Sequence, residues 1–212
     1  MSYTLVRPTE WAYKTPMMKT TISPSDILPN AVFEAEREHH RVRLAPLRRM
    51  RRVAVGPYAM FYFECFDTLW WQIQEMVRIE QGGDAQIAEE ISAYKSLLPQ
   101  GSDWTATLMF EIPGEAQRRT LLAELGHVEK EVVLRVNNET IKAQPTDDDV
   151  RTTDEGKTSA VHFLRFAFPE AIKDRLLNDA PSVTLAITHP NYPHETRLSA
   201  DLLQTLRADL AA

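Results

Sequence analysis

The chain of 212 residues has one cysteine, seven glycines and no long apolar run, and each shortage removes a class of protein. A single thiol, Cys65, supports no internal disulfide framework, no thiolate zinc site and no paired-cysteine redox motif. So little glycine excludes collagen-like and low-complexity architectures. The glycine-rich signatures of dinucleotide- and triphosphate-binding folds are also missing, so those readings have no support. The most apolar window, residues 58–63, is closed by Glu64, far short of the ~20 residues a membrane span needs. Residues 1–19 carry no apolar core, and Arg7, Lys14 and Lys19 are scattered through them. No targeting peptide is expected there, and the expected residence is cytoplasmic. An excess of positive charge is missing too: 24 Lys+Arg against 30 Asp+Glu give a net charge of −6. A sequence pI near 5.6 argues against a dedicated nucleic-acid binder.

What is present is an ordinary globular composition, 43% hydrophobic and 25% charged, long enough for a well-buried core. The charge, however, is unevenly spread. Between Arg37 and Arg52 stand seven arginines (Arg37, Arg41, Arg43, Arg48, Arg49, Arg51, Arg52) and one acid, Glu38, so this segment is +6 and the remainder −12. Such a cluster is either a docking surface for an anionic or acidic partner or a set of internal bidentate pairs with the chain's own acids.

Residues 1–29 hold Pro8, Pro16, Pro24 and Pro29, lack a sustained period, and read as an N-terminal arm. Asn30 is placed to cap a helix that ends before Pro46, and Pro46 to open a second one. Val53 to Val55, a Gly56-Pro57 turn and Tyr58 to Cys65 read as an aromatic hairpin. Asp67 is placed to cap a helix over 68–81 with Leu69, Trp70, Ile73, Met76 and Val77 on one stripe, ended by Gly82-Gly83. A further helix is expected over 85–98, a strand over 105–112, and a helix over 115–125. Residues 131–143 form a second hairpin around Asn137-Asn138, and 145–157 read as an acidic loop. A strand over 159–168, a short helix after Pro169, a strand over 182–188 and a helix over 200–210 complete the chain. The expected fold is a single α+β domain over 30–212, helix-rich to 100 and strand-rich beyond, with a largely antiparallel sheet covered by several helices.

Several groups carry potential chemistry. Thr68, Gln72 and Glu75 share a second, polar stripe of the 68–81 helix. With Glu64 and the arginines at 48–52 they form either a buried network or the lining of a pocket for a small anion between hairpin and helix. In that arrangement Arg51 or Arg52 is expected to point inward to Glu64 or Glu75, and Arg41 and Arg48 outward. His189, Asn191, Tyr192 and His194 sit in a strand-end loop where Pro190 and Pro193 shape a turn. Glu36-Arg-Glu-His39 and Glu124-Leu-Gly-His127 have the spacing of di-iron ligands. The second straddles Gly126, however, and a mixture of helices and strands is no four-helix bundle. No metal and no cofactor are implied. Cys65 and His162 read as packed core residues, and Ser159 lacks a nucleophile elbow.

Arg51-Arg-Val-Ala-Val-Gly-Pro-Tyr, Phe61-Tyr-Phe-Glu, Asp67-Thr, Gln72-Ile-Gln-Glu-Met, Leu98-Pro-Gln-Gly, Ala106-Thr-Leu-Met-Phe-Glu-Ile, Ser159-Ala-Val-His-Phe-Leu and His189-Pro-Asn-Tyr follow one another in a specific order. Together they resemble the bacterial family catalogued as domain of unknown function 3501, from about Asn30 onward. Cys65 stands where that family's pattern has Asn, so no thiol reaction carries over. The resemblance implies no assigned activity. Its members are often encoded beside rubrerythrin-like and iron–sulfur oxidoreductase proteins, which implies an accessory role with such partners. The alternative is an enzyme or ligand sensor that uses the small-anion pocket.

Overall fold

A computed structural model describes residues 19–146, 151–153, 156–179 and 181–211. Lys19 onward leads through a 3-10 turn, Pro24–Asp26, into α1, Asn30–Met50. The expected break before Pro46 does not occur. Proline removes the donor that would bond the Val42 carbonyl, but Leu44 and Leu47 hold the helix on the core and Arg51 N–H closes its last turn on Leu47 O at 3.1 Å. Asn30 is the first helical residue rather than the cap, and its side chain donates to Val77 O.

The hairpin follows as β1, Arg52–Val55, and β2, Ala59–Phe63. Next comes α2, Phe66–Glu80, which starts at Phe66 rather than after Asp67. Cys65 N–H donates to Thr68 Oγ1 at 2.9 Å and secures that end. The expected apolar stripe is buried at Leu69, Trp70, Ile73 and Val77, joined by Trp71 and Gln74. Gln81, with φ of 54°, ends α2 in the left-handed region, and Gly82 leads into α3, Gly83–Tyr94. Then come β3, Asp103–Phe110, and α4, Glu115–Glu124. β4, Val132–Val136, and β5, Glu139–Lys142, turn at Asn137, whose φ of 53° is the positive value that turn requires. After them come β6, Gln144–Pro145; β7, Val161–Ala167; α5, Glu170–Asn178; β8, Val183–Ile187; β9, His194–Arg197; and α6, Ala200–Arg207.

Among the described residues all strand pairs are antiparallel, as the hairpins predict, but they form two sheets rather than one. Their orders are β1-β2-β3-β7-β6 and β5-β4-β8-β9. The sheets approach each other at both ends. Thr196 Oγ1 of β9 donates to Ala54 O of β1 at 2.7 Å, while β5 runs through Ala143 into β6. The main core fills the space between them with Phe61, Phe63, Trp104, Leu108, Leu134 and Leu185, sealed by leucines of α4, α5 and α6. A second core, built on Phe33, Leu44, Leu69, Trp70, Trp71 and Leu97, lies among the first helices. It reaches the outward face of the first sheet at Phe163. Ile22 and Ile27 join it, so the described end of the arm packs on the helical layer. The result is a single α+β domain.

Candidate docking face and the polar centre beneath it

The segment from Arg37 to Arg52 is divided by the geometry of α1. Arg37 grips Glu75 bidentately, Nε at 2.7 Å and Nη2 at 3.1 Å, and Arg78 adds a third bond to the same carboxylate. Burial alone raises the Glu75 carboxyl, but these cations outweigh it and the net shift is downward. Arg41 pairs with Glu38 one turn away, and Arg43 lies 3.5 Å from Asp67. Arg51 turns fully inward, 4% exposed, and clasps Asp209 (3% exposed) at 2.5 and 2.9 Å. Its Nη1 also bonds the Glu64 carbonyl at 3.0 Å, so one guanidinium ties the end of α1 to the end of β2 and to the residues after α6. The expected partners, Glu64 or Glu75, are replaced by an acid that no local pattern could announce. That Arg51 or Arg52 turns inward was expected; the phase that selects Arg51 holds only because α1 runs unbroken through Pro46. Arg51 stands 18 residues after the buried Phe33, five whole helical turns at 3.6 residues each.

Arg48, Arg49 and Arg52 remain exposed, and none has an ion-pair partner among the described residues. Arg48 and Arg49 sit in the last turn of α1, where cations suit the helix dipole. Arg52 opens β1 opposite Tyr62. The Tyr62 hydroxyl donates to Glu111 at 2.6 Å. Its phenol is pushed up to about 12 by burial and that bond, while Arg52 and Arg48 pull the other way. Beside this row the sheet register aligns Ala54, Met60, Met109 and Val161 across four strands, all facing away from the core. Met109 and, on α1, Met50 are among the exposed large apolar residues. The outcome is a cationic rim around an open, methionine-bearing half of the sheet face.

The other half of that face lies under α2 and the residues after α3. There Glu64, 6% exposed, accepts from Thr68 Oγ1 at 2.6 Å and from Thr107 Oγ1 at 2.7 Å. Burial pushes its carboxyl up. Gln72 donates to the Tyr94 hydroxyl at 2.8 Å. Glu75 is turned toward α1, apart from this group. Glu64 and Gln72 are thus both engaged with internal partners. Burial also pushes the Cys65 thiol up, leaving it a packed side chain with no tendency to form thiolate.

The expected strand-end loop is tighter than its sequence suggests, because His194 opens β9 and pairs with Ile187. Buried Tyr192 accepts from Tyr58 N–H at 2.8 Å and Ala59 N–H at 3.0 Å, and donates to Val55 O at 3.0 Å. Its hydroxyl therefore clamps the β1–β2 turn. Asn191 bonds the Glu124 carbonyl, and His189 Nδ1 accepts from Asn191 N–H. His162 is buried in the core, where Nε2 lies 2.9 Å from Ser159 O and Nδ1 lies 3.6 Å from Glu129 Oε2. Glu129 carried no sequence signal. Neither Glu-x-x-His pair is assembled: Glu36 contacts His40 rather than His39, and His127 lies beyond the end of α4. Among the described residues no group of three or more His, Cys, Asp or Glu fits a metal ion, and no helix is long and apolar enough to cross a membrane.

Residues 21–210 match a family model described as "Protein of unknown function (DUF3501)". The chain belongs to the DUF3501 family. A solved structure is similar along nearly the whole chain. It is a novel protein of unknown function from Burkholderia pseudomallei K96243, with a TM-score of 0.83 and 35% identity over 90% of this chain and 99% of that one. None of the curated proteins matches this DUF3501 chain.

Proposed function

We propose that this protein is a non-catalytic accessory subunit that docks an acidic segment of a partner protein on the arginine–methionine face. One observation carries the reading. Four of the seven clustered arginines are consumed by acids of the same chain, three (Arg48, Arg49 and Arg52) have no ion-pair partner among the described residues, and Arg48 and Arg52 act on Tyr62 at the edge of one open apolar surface. Flexible methionines adapt to varied partner surfaces, and unpaired arginines supply bidentate grips on carboxylates. Encoding of family members beside rubrerythrin-like and iron–sulfur oxidoreductase proteins, which the resemblance implies, suggests the class of partner, and cytoplasmic residence is part of the same proposal. The competing function, an enzyme or sensor holding a small anion between hairpin and α2, has less support because Glu64 and Gln72 are bonded within the fold and Glu75 is held by Arg37.

The test uses a fluorescein-labelled peptide of alternating glutamate and leucine, together with a purified rubrerythrin-like protein and an iron–sulfur oxidoreductase. Anisotropy should show binding that weakens as salt rises, because exposed charges are screened. Arg48→Glu/Arg49→Glu/Arg52→Glu should abolish it without moving the melting temperature. Equal binding by the triple variant, or none at low salt, overturns the proposal.

A further inference from the structure

Three of the five exposed large apolar residues among the described residues, Val32 at 41%, Val42 at 61% and Met50 at 45%, lie on α1. The helix rests on the domain through a narrow stripe, with only Phe33 and Leu44 fully buried. On the opposite side Val32, Ala35, His39, Val42 and Pro46 recur at intervals of three and four, the seam spacing of a helix pair. All five are exposed or turned to solvent in this structure. Glu36 and Arg43 flank that seam on one side. Both are open, 54% and 46% exposed, and held only by long contacts to His40 at 3.3 Å and Asp67 at 3.5 Å.

We infer that this face of α1 binds α1 of a second copy of the chain, antiparallel and about a two-fold axis near His40. In that register Val42 packs beside His39 of the second copy and Ala35 beside Pro46. Glu36 then meets Arg43, and by symmetry Arg43 meets Glu36. The charges are therefore self-complementary, as an isologous contact requires. A parallel pairing instead sets Arg43 against Glu38, an acid already gripped by Arg41 at 2.7 and 2.8 Å, and leaves Glu36 facing Ala31, so the two open charges find no open partner. At 1.5 Å per residue the 21-residue helix is about 31 Å long. One such helix pair lies near the lower bound of ~1,000 Å² for a specific interface, so the dimer is weak and concentration-dependent. In this register Val32 lies opposite Arg49 of the second copy, so the contact reaches the arginine cluster at Arg49, and Val42→Glu, which leaves every arginine in place, tells the two proposals apart.

Sedimentation velocity of the full chain, from micromolar to near-millimolar concentration, tests it. The average mass should climb from monomer toward dimer. Val42→Glu should weaken the association about tenfold or more, with the melting temperature unchanged because the site is exposed. Glu36→Arg and Arg43→Glu should each weaken it, and the double exchange should restore it. A mass that never rises, a dimer indifferent to Val42→Glu, or a double exchange no better than the singles each overturns the inference.

Discussion

Replacing Arg51 by Met should be among the most damaging single changes available to this protein. The guanidinium is 4% exposed, and its loss strands Asp209, 3% exposed, as a carboxylate without a counter-charge. It also strips the Glu64 carbonyl of a donor. Removing one partner of a buried pair costs about 3–5 kcal/mol. For a domain of this size each kcal/mol moves the melting temperature by about 2–4 °C, so a fall of roughly 6–20 °C is expected. Asp209→Leu alone should cost about as much, since Arg51 is then the stranded charge. The double variant Arg51→Met/Asp209→Leu should recover most of the loss, because two apolar side chains replace a pair whose desolvation was itself expensive. Urea denaturation of all four proteins completes the cycle. Single variants within about 1 kcal/mol of the parent, or a double variant as unstable as the sum of the singles, would refute the reasoning.

Tyr192→Phe removes the hydroxyl clamped on the β1–β2 turn and should cost about 1–3 kcal/mol by leaving buried backbone groups unpaired, read by denaturant titration. Gly56→Ala should destabilise the same turn. The residue has φ of +71°, and an added Cβ would meet His194 Cδ2 at 2.5 Å and the Tyr192 hydroxyl at 2.8 Å; an unchanged melting curve would contradict the packing there. Glu64 has a carboxyl raised by burial, so its contribution to stability is fully present below the unfolded carboxylate range and is lost as pH rises through the higher folded value. Glu64→Gln should therefore flatten the pH–stability curve across that window, and a variant with the parent's pH profile would show that Glu64 does not govern it.

The elements that could be read in the sequence are those whose local chemistry is unambiguous. Asn137-Asn138 and Gly56-Pro57 mark tight turns, and both hairpins form there. The apolar stripe of α2 is buried where its period puts it, because a helix carrying two tryptophans has only one face to hide. Pro46 misled, since a proline stops a helix only when packing on both sides does not hold it, and here Leu44 and Leu47 do. β9 escaped notice because His194, Glu195, Thr196 and Arg197 are all polar. Only pairing to β8 and Thr196's bond to β1 define it as a strand. The arginine cluster was visible as composition. Its division between Asp209, Glu75 and solvent was not, because each partner is supplied by a distant element.

Asp209 lies 158 residues downstream of Arg51. At a ribosomal rate of ~5–20 residues per second, roughly 8–30 s separate the synthesis of the two. Throughout that interval α1 and the β1–β2 hairpin exist without the acid that neutralises the junction between them. Burying the Arg51 guanidinium before Asp209 is available would leave an uncompensated charge, so docking of the early helices on the hairpin is expected to be disfavoured until then. Trp104, whose indole N–H donates to Leu206 O, waits on the same stretch of chain. A chain cut before Asp209 is therefore expected to be more open to proteases than one that retains it, and limited proteolysis of the two checks this.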